Sequence, residues 1–148
     1  MRTEELEAYM LSDPYIRRYY GGVVALDRLP SVITKPSIFI VNSDTADMPG
    51  RHWFAVFFNP TVNEHFDSAG FFPSLTLEAS LIAHGPTFQY NNRRVQDYHS
   101  TTCGLFCLFY CYFRCRGHSF RDIMQMFSSN LQINEHVVET FYNVTRKR

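Results

Sequence analysis

A cysteine at the junction between a polar loop and an apolar segment is the residue best suited to chemistry in this sequence. Residues 96–102 are Gln-Asp-Tyr-His-Ser-Thr-Thr, Cys103 follows them, and the apolar segment that begins there ends near Gly117. Free N–H groups and the positive dipole end of a helix stabilise a thiolate, which is the nucleophilic form of cysteine. We therefore predict that Cys103 begins a buried helix and is a nucleophile.

The residues beside Cys103 suit this role. Ser100, Thr101 and Thr102 supply hydroxyl groups that can cap a helix. Gly104 has no side chain and is expected to leave room for a substrate backbone beside the sulfur. Gly104 is therefore a candidate substrate-binding residue.

Three further cysteines follow Cys103 at four-residue steps, at positions 107, 111 and 115. On one helix they form a stripe with about 6 Å of rise between neighbours, which cannot bring four ligands to one zinc ion. Side chains four residues apart on a regular helix rarely reach disulfide geometry. We expect Cys107, Cys111 and Cys115 to be small buried apolar residues in a reducing compartment.

A thiol nucleophile needs a base for its proton, an acceptor that orients the base, and donors for the oxyanion. His52 opens a predicted strand and Asp67 ends its predicted hairpin partner, so antiparallel pairing can bring them together at one sheet edge. Gln96 lies seven residues before Cys103 and is placed to donate to an oxyanion together with the Cys103 backbone N–H. The expected order is Asp67, His52, Cys103, with Gln96 beyond the scissile carbonyl.

Spacing alone leaves alternatives open, because six histidines and fourteen acidic residues allow many combinations. His99 is nearer Cys103 in sequence and is an alternative base or a loop cap. His65 is an alternative surface hydrogen-bonding residue. Trp53 is either an ordinary core aromatic or a substrate-binding residue that covers the imidazole of His52 and excludes water. Gln96 could also be an ordinary loop residue without a catalytic role.

The elements expected around these residues define an α+β domain that spans residues 1–148. Strands are predicted over 37–42, 52–58 and 63–67, with an extended stretch over 87–95. Helices are predicted over 3–11, 75–84, 104–115, 120–127 and 135–142. A break at 13–15 and a turn at Gly21-Gly22 make the region between them irregular. A small mixed central sheet should pack against a buried central helix that bears the nucleophile.

Composition narrows the classes of function. The chain has 14 basic and 14 acidic residues, so there is no global positive field to attract nucleic acid. No apolar run reaches membrane-spanning length without a charge, and residues 1–5 do not have the pattern of a signal peptide. We expect a soluble intracellular protein with no membrane partner. The 14 Phe and 9 Tyr residues predict a well-filled core.

Four blocks of sequence resemble the adenovirus protease (adenain) family. They are Gly-Arg-His-Trp at 50–53, Phe-Asp-Ser-Ala-Gly-Phe at 66–71, Gln96 with its step to Cys103, and Cys-Gly-Leu-Phe-Cys at 103–107. The SUMO-deconjugating cysteine proteases share the order His-Trp, Asp, Gln and Cys-Gly. Residues 13–15, 27–30 and 40–42 are also similar to N-terminal blocks of the adenovirus branch.

The resemblance implies a papain-like or adenain-like cysteine protease fold. It implies that His52 is the general base, Asp67 its orienting acid, Cys103 the nucleophile and Gln96 the oxyanion donor. The implied activity is endopeptidase cleavage after small residues, at Gly-Gly or Gly-X sites of virion precursor proteins, with the host nucleus and the virion as location. Two alternatives stay open: a protease that removes ubiquitin-like proteins of the SUMO or NEDD8 type, and a catalytically silent peptide-binding module.

The sequence departs from the family pattern in three ways, and one of them bears on the expected activator. Asp67 stands where the adenovirus enzymes usually have glutamate, and the chain is shorter in its C-terminal part. No cysteine precedes Cys103, so a disulfide-linked activating peptide is not expected. No metal is expected either. A DNA or non-covalent peptide activator stays open, with Arg93 and Arg94 as a candidate basic face, and we expect a monomer.

Overall fold

The computed structural model describes residues 1–44 and 52–147 of the chain. Its sheet contains five strands in the order β1-β2-β3-β4-β5. The strands are β1 (Tyr20–Ala25), β2 (Ser37–Asn42), β3 (Trp53–Phe58), β4 (Asn63–Phe66) and β5 (Phe88–Tyr90). The outer pairs β1/β2 and β4/β5 are parallel, and the inner pairs β2/β3 and β3/β4 are antiparallel. The predicted mixed central sheet is confirmed.

Helices cover both faces of this sheet. They are α1 (Thr3–Ser12), α2 (Pro14–Arg17), α3 (Leu75–Ala83), α4 (Cys103–Arg114), α5 (Phe120–Gln125) and α6 (Leu131–Thr145), and Leu26–Arg28 forms one 3-10 turn. No helix in the described residues is long and apolar enough to cross a membrane.

The central strand β3 is buried on both faces. Alternate residues that begin with Trp53 pack with α1, α4, α5 and α6, and the residues that begin with Phe54 pack on the α3 side. This alternation follows from the two-residue period of a strand. The sheet therefore separates two buried clusters, and the larger cluster contains α4.

The predicted central helix is confirmed as α4, and its first three turns are almost wholly buried. Cys107 and Cys111 are fully buried free thiols, as predicted, whereas Cys115 is only half-buried. The two closing helices are confirmed as α5 and α6, with Val138 of α6 packed in the core.

The turn predicted at Gly21-Gly22 is wrong, because both glycines lie inside β1. The ring of Phe39 packs over Gly21, and a Cβ there would come within 2.5 Å of that ring. These glycines thus serve close packing within the sheet rather than chain reversal. The predicted break after the first helix is present at Asp13, whose extended backbone separates α1 from α2, but Pro14 and Tyr15 belong to α2.

The helix predicted over 75–84 is present as α3. Leu77 and Leu81 are buried, while Leu75 is 84% exposed and Ile82 is 53% exposed. The block resembling the protease family at 50–53 begins outside the described residues.

Candidate active site

The side chains of His52 and Asp67 meet at one edge of the sheet. His52 directly precedes β3 and Asp67 directly follows β4, which pair as an antiparallel hairpin. Nε2 of His52 lies 2.7 Å from Oδ1 of Asp67. Because a carboxylate only accepts hydrogen bonds, Nε2 donates, and Nδ1 is left to face the thiol.

The turn after β4 fixes the Asp67 carboxylate. Oδ1 also accepts the Ala69 N–H at 2.8 Å, and the Asp67 carbonyl accepts the Gly70 N–H at 2.8 Å. Gly70 has φ of +78°, and a Cβ there would lie 2.7 Å from the Arg94 backbone nitrogen. Only glycine fits both this backbone conformation and this close approach.

Cys103 is the first residue of α4 and faces the His52 ring. Its Sγ accepts the Trp53 backbone N–H at 3.4 Å and is hydrogen-bonded to the imidazole of His52. The side chain of Cys103 lines an open cleft of about 420 Å³, together with those of His52, Trp53 and Gln96. The thiol is therefore both activated by neighbours and open to a substrate.

The surroundings of His52 and Cys103 shift their pKa values toward an ion pair. Burial lowers the pKa of His52, but hydrogen bonds to Asp67 and Cys103 outweigh it and raise that pKa to about 10. Burial raises the pKa of Cys103, but the His52 hydrogen bond and the Trp53 N–H outweigh it, so the thiol pKa is lowered. Both shifts favour the thiolate and the imidazolium over the neutral thiol and imidazole.

Gln96 lies in the same cleft and is only 4% exposed. Its Oε1 accepts the Ser68 hydroxyl at 2.5 Å, and its Nε2 donates to the carbonyl and hydroxyl oxygens of Ser100, both at 3.1 Å. Both ends of the amide are held, so its direction beside Cys103 is fixed. The structure thus brings His52, Asp67, Gln96 and Cys103 together.

Trp53 and Gly104 have neighbours that the sequence did not indicate. The indole Nε1 of Trp53 donates to the Met1 carbonyl at 3.1 Å. A Cβ at Gly104 would lie 3.3 Å from Met1 and 3.4 Å from Leu6. Gly104 therefore lets the N-terminal helix pack against α4, and the room expected there for a substrate backbone is taken by Met1 and Leu6.

The alternative histidines are separated from the thiol. His99 is exposed. His65 is 2% exposed, not at the surface as predicted, and its ring packs 5.0 Å from that of Phe54. Burial lowers the pKa of His65 to about 4. Neither histidine lies among the residues that line the cleft.

The sequence analysis did not single out Asn91, which holds the end of β4. Asn91 Oδ1 accepts the Asp67 N–H at 2.9 Å, and Nδ2 donates to the Asp67 carbonyl and to the Arg93 carbonyl. Asn91 reaches this place because β5 pairs with β4 in parallel. That long-range pairing leaves no local sequence signal.

Arg93 and Arg94, the candidate basic face, are both hydrogen-bonded to backbone carbonyls. Arg93 donates to the Met124 carbonyl at 2.6 Å, and Arg94 donates to the Gln96 carbonyl at 2.8 Å and stacks over the Tyr98 ring. Both guanidinium groups therefore hold loops in place. Among the described residues, no cluster of histidine, cysteine or acidic side chains is arranged to hold a metal ion.

Solved structures share this architecture. The ASFV pS273R protease superimposes with a TM-score of 0.57 and 17% identity over 83% of this chain and 60% of that one. SUMO protease Ulp1, in a structure with its catalytic cysteine oxidised to a sulfinic acid, superimposes with a TM-score of 0.51 and 13% identity over 95% of this chain and 77% of that one. The chain has a SUMO-protease-like fold.

This fold confirms the architecture expected from the sequence resemblance. No family model and no curated protein matches the sequence. The chain spans 43% and 60% of the length of the ASFV protease in two of its structures. The SUMO-protease-like fold therefore rests on shared tertiary structure at low sequence identity.

Proposed function

We propose that this protein is a cysteine endopeptidase. The observation that carries the proposal is the contact chain from Asp67 through His52 to a Cys103 thiol whose pKa is lowered, at the N-terminus of a buried helix. The cysteine proteases that share the fold support it.

In the proposed mechanism, the Cys103 thiolate attacks the scissile carbonyl carbon and forms a tetrahedral oxyanion. The backbone N–H of Cys103, which has no acceptor within its helix, donates to that oxyanion. One N–H of Gln96 Nε2 is shared between the carbonyl and hydroxyl oxygens of Ser100, and the second N–H donates to the oxyanion. The His52 imidazolium gives its proton to the leaving amine, so the C–N bond breaks and a thioester remains. His52 then takes a proton from water, which attacks the thioester and releases the Cys103 thiolate.

We propose cleavage after glycine, at Gly-Gly or Gly-X sites of precursor proteins in a virus or a virus-derived element. Trp53 stands beside Cys103 in the cleft and would cover the backbone of a residue that lacks a side chain. The ASFV protease match supports the viral setting. The enzyme would act as a monomer on protein substrates inside the host cell.

The decisive experiment is labelling and turnover with Leu-Xaa-Gly-Gly reporter peptides. Cys103→Ala should abolish both labelling by an electrophilic peptide and turnover. Cys107→Ala, one turn further along α4 and fully buried, is the matched control and should retain both. Labelling that survives Cys103→Ala would overturn the assignment of the nucleophile, and a wild type that is never labelled would favour a silent peptide-binding module.

A deconjugating protease is the second candidate, because Ulp1 matches 95% of this chain and Asp67 is the acid of that branch in the sequence resemblance. C-terminal fluorogenic substrates derived from SUMO, NEDD8 and ubiquitin separate the two functions. Turnover of one of them at least as fast as that of the best precursor peptide would replace precursor processing as the function.

A further inference from the structure

The loop between Gln96 and the nucleophile is tied to the last helix through one carboxylate, that of Glu135 in α6. Oε2 of Glu135 accepts the Asp97 backbone N–H at 2.9 Å and the Ser100 hydroxyl at 3.1 Å. Oε1 accepts the Thr102 hydroxyl at 2.6 Å. One side chain thus holds three points of the loop that leads to Cys103.

These contacts determine how the Ser100 hydroxyl meets the Gln96 amide. The Ser100 hydroxyl oxygen also lies 2.9 Å from the Thr102 hydroxyl oxygen and 3.2 Å from the Asp97 carbonyl oxygen. We assign its single proton to the Glu135 carboxylate, because a charged acceptor forms the stronger hydrogen bond. The oxygen lone pairs of Ser100 are then free to accept the Gln96 Nε2–H at 3.1 Å. The Ser68 hydroxyl and the Ser100 carbonyl also hold the Gln96 amide. The third group that holds it, the Ser100 hydroxyl, is therefore oriented by a carboxylate with which the amide has no contact.

Thr102 is the second point at which Glu135 acts on the site. Thr102 is the N-cap residue of α4, but its side chain forms no cap hydrogen bond. Its hydroxyl instead donates to Glu135. The residue before the nucleophile is thus fixed by α6, and the first N–H groups of α4 are left uncapped by that side chain.

We propose that Glu135 is a positioning residue that aligns Gln96 through Ser100 and fixes the start of α4 through Thr102. This inference rests on the proposed function, in which Gln96 and the Cys103 N–H bind the oxyanion. The negative charge is needed because all three partners donate. A glutamine at 135 accepts through one atom only, and its amide N–H groups oppose one of the donors.

The helix itself does not depend on this carboxylate. Asn134 of α6 donates to the Val95 carbonyl at 3.0 Å and to the Ser128 carbonyl at 2.8 Å, and Val138 is fully buried. Loss of the Glu135 charge should therefore leave α6 packed and change the loop alone.

The kinetic test compares Glu135→Gln with Glu139→Gln, an exposed glutamate one turn along α6. Glu135→Gln should lower kcat about 10-fold to 100-fold with KM changed less than about threefold, because the oxyanion interaction forms in the transition state. Affinity for a peptide aldehyde, whose adduct places an oxygen in the oxyanion site, should fall in parallel. Glu139→Gln should match wild type, and Glu135→Asp should recover part of kcat.

A double-mutant cycle tests whether Glu135 affects kcat through Gln96. In a Gln96→Ala background, adding Glu135→Gln should lower kcat by less than about a further threefold. The reason is that the Gln96 amide, which Glu135 aligns, is already absent. Alkylation of Cys103 by iodoacetamide does not use the oxyanion site and should keep its rate. Full additivity with Gln96→Ala, or an unchanged kcat in Glu135→Gln, would overturn the proposal.

A spectroscopic measurement tests the positioning without any activity. The side-chain amide signal of Gln96, assigned by its loss in Gln96→Ala, should move in the ¹H–¹⁵N spectrum of Glu135→Gln and not in that of Glu139→Gln. An unmoved signal would overturn the positioning role. A moved signal in a protein that turns over no peptide would support the alignment and reject the proposed function.

Discussion

Four cysteines lie on one helix, and their surroundings give them different chemistry. Burial raises the pKa of Cys107 and Cys111 well above the ordinary value and raises that of Cys115 to about 12. Cys103 is also desolvated, but the His52 hydrogen bond and the N–H groups beside it lower its pKa. One turn of helix thus separates the proposed nucleophile from a core residue.

The His52–Cys103 pair should set the pH range of the proposed activity. Because the thiolate and the imidazolium are both required, kcat/KM should rise as pH passes upward through the thiol pKa and fall as pH passes through about 10, the raised pKa of His52. Asp67→Asn removes a charge and hydrogen bond that raise the pKa of His52 and should move the alkaline limb to lower pH. A pH–rate profile of both proteins measures this, and an unmoved limb would contradict it.

His65 should make the fold sensitive to acid. Burial lowers its pKa to about 4, so between pH 4 and 6.5 the unfolded chain binds a proton that the folded chain does not. The free energy of unfolding should therefore fall by up to about 3 kcal/mol as pH drops through that window. Denaturant titrations should show a weaker pH dependence for His65→Phe, and no such change for the exposed control His136→Gln.

At the scale of elements, a buried ion pair holds β4 against α4. Glu64 of β4 is 1% exposed and accepts the guanidinium of Arg114 at 2.8 Å and the hydroxyl of Tyr110. β4 leads to Asp67 and α4 begins at Cys103. The contact therefore joins the two elements that carry opposite ends of the site.

Arg114→Leu should destabilise the protein by about 3 kcal/mol, because it leaves a buried carboxylate without its charged partner. Arg2→Leu is the matched control. It breaks the Arg2–Glu5 pair, whose side chains are 79% and 44% exposed, and should leave the denaturant midpoint close to that of wild type. Denaturant midpoints of both variants measure the difference. Equal losses of stability would show that the buried pair contributes no more to stability than the exposed pair.

At the scale of the whole molecule, charge and the arrangement of arginines bear on activation. The formal net charge is zero, and Arg93 and Arg94 are engaged with backbone carbonyls. We propose that neither metal, disulfide-linked peptide nor DNA is needed, and that any peptide activator binds without a covalent bond.

Duplex DNA should accordingly change peptide turnover less than about twofold, even at low salt, where attraction to phosphate is strongest. The measurement is turnover at 50 and 150 mM salt with and without DNA, and a chelator serves as the control for metal dependence. A large stimulation that disappears at the higher salt would establish a nucleic-acid activator.

The sequence by itself determined the central strands, the buried helix and the four candidate site residues that the structure brings together. The β-branched and aromatic runs of the strands and the apolar run of α4 are local patterns that survive folding. The choice of His52, Asp67, Gln96 and Cys103 came from the sequence resemblance, because spacing alone left other histidines and acidic residues open.

Only the tertiary structure decided what surrounds those residues. Asn91 reaches Asp67 through a parallel strand pair, Glu135 reaches the loop before Cys103 from the last helix, and Met1 fills the space beside Gly104. It also placed Gly21 under the ring of Phe39 rather than in a turn. The physical reason is that these contacts join segments distant in sequence, so no local pattern specifies them.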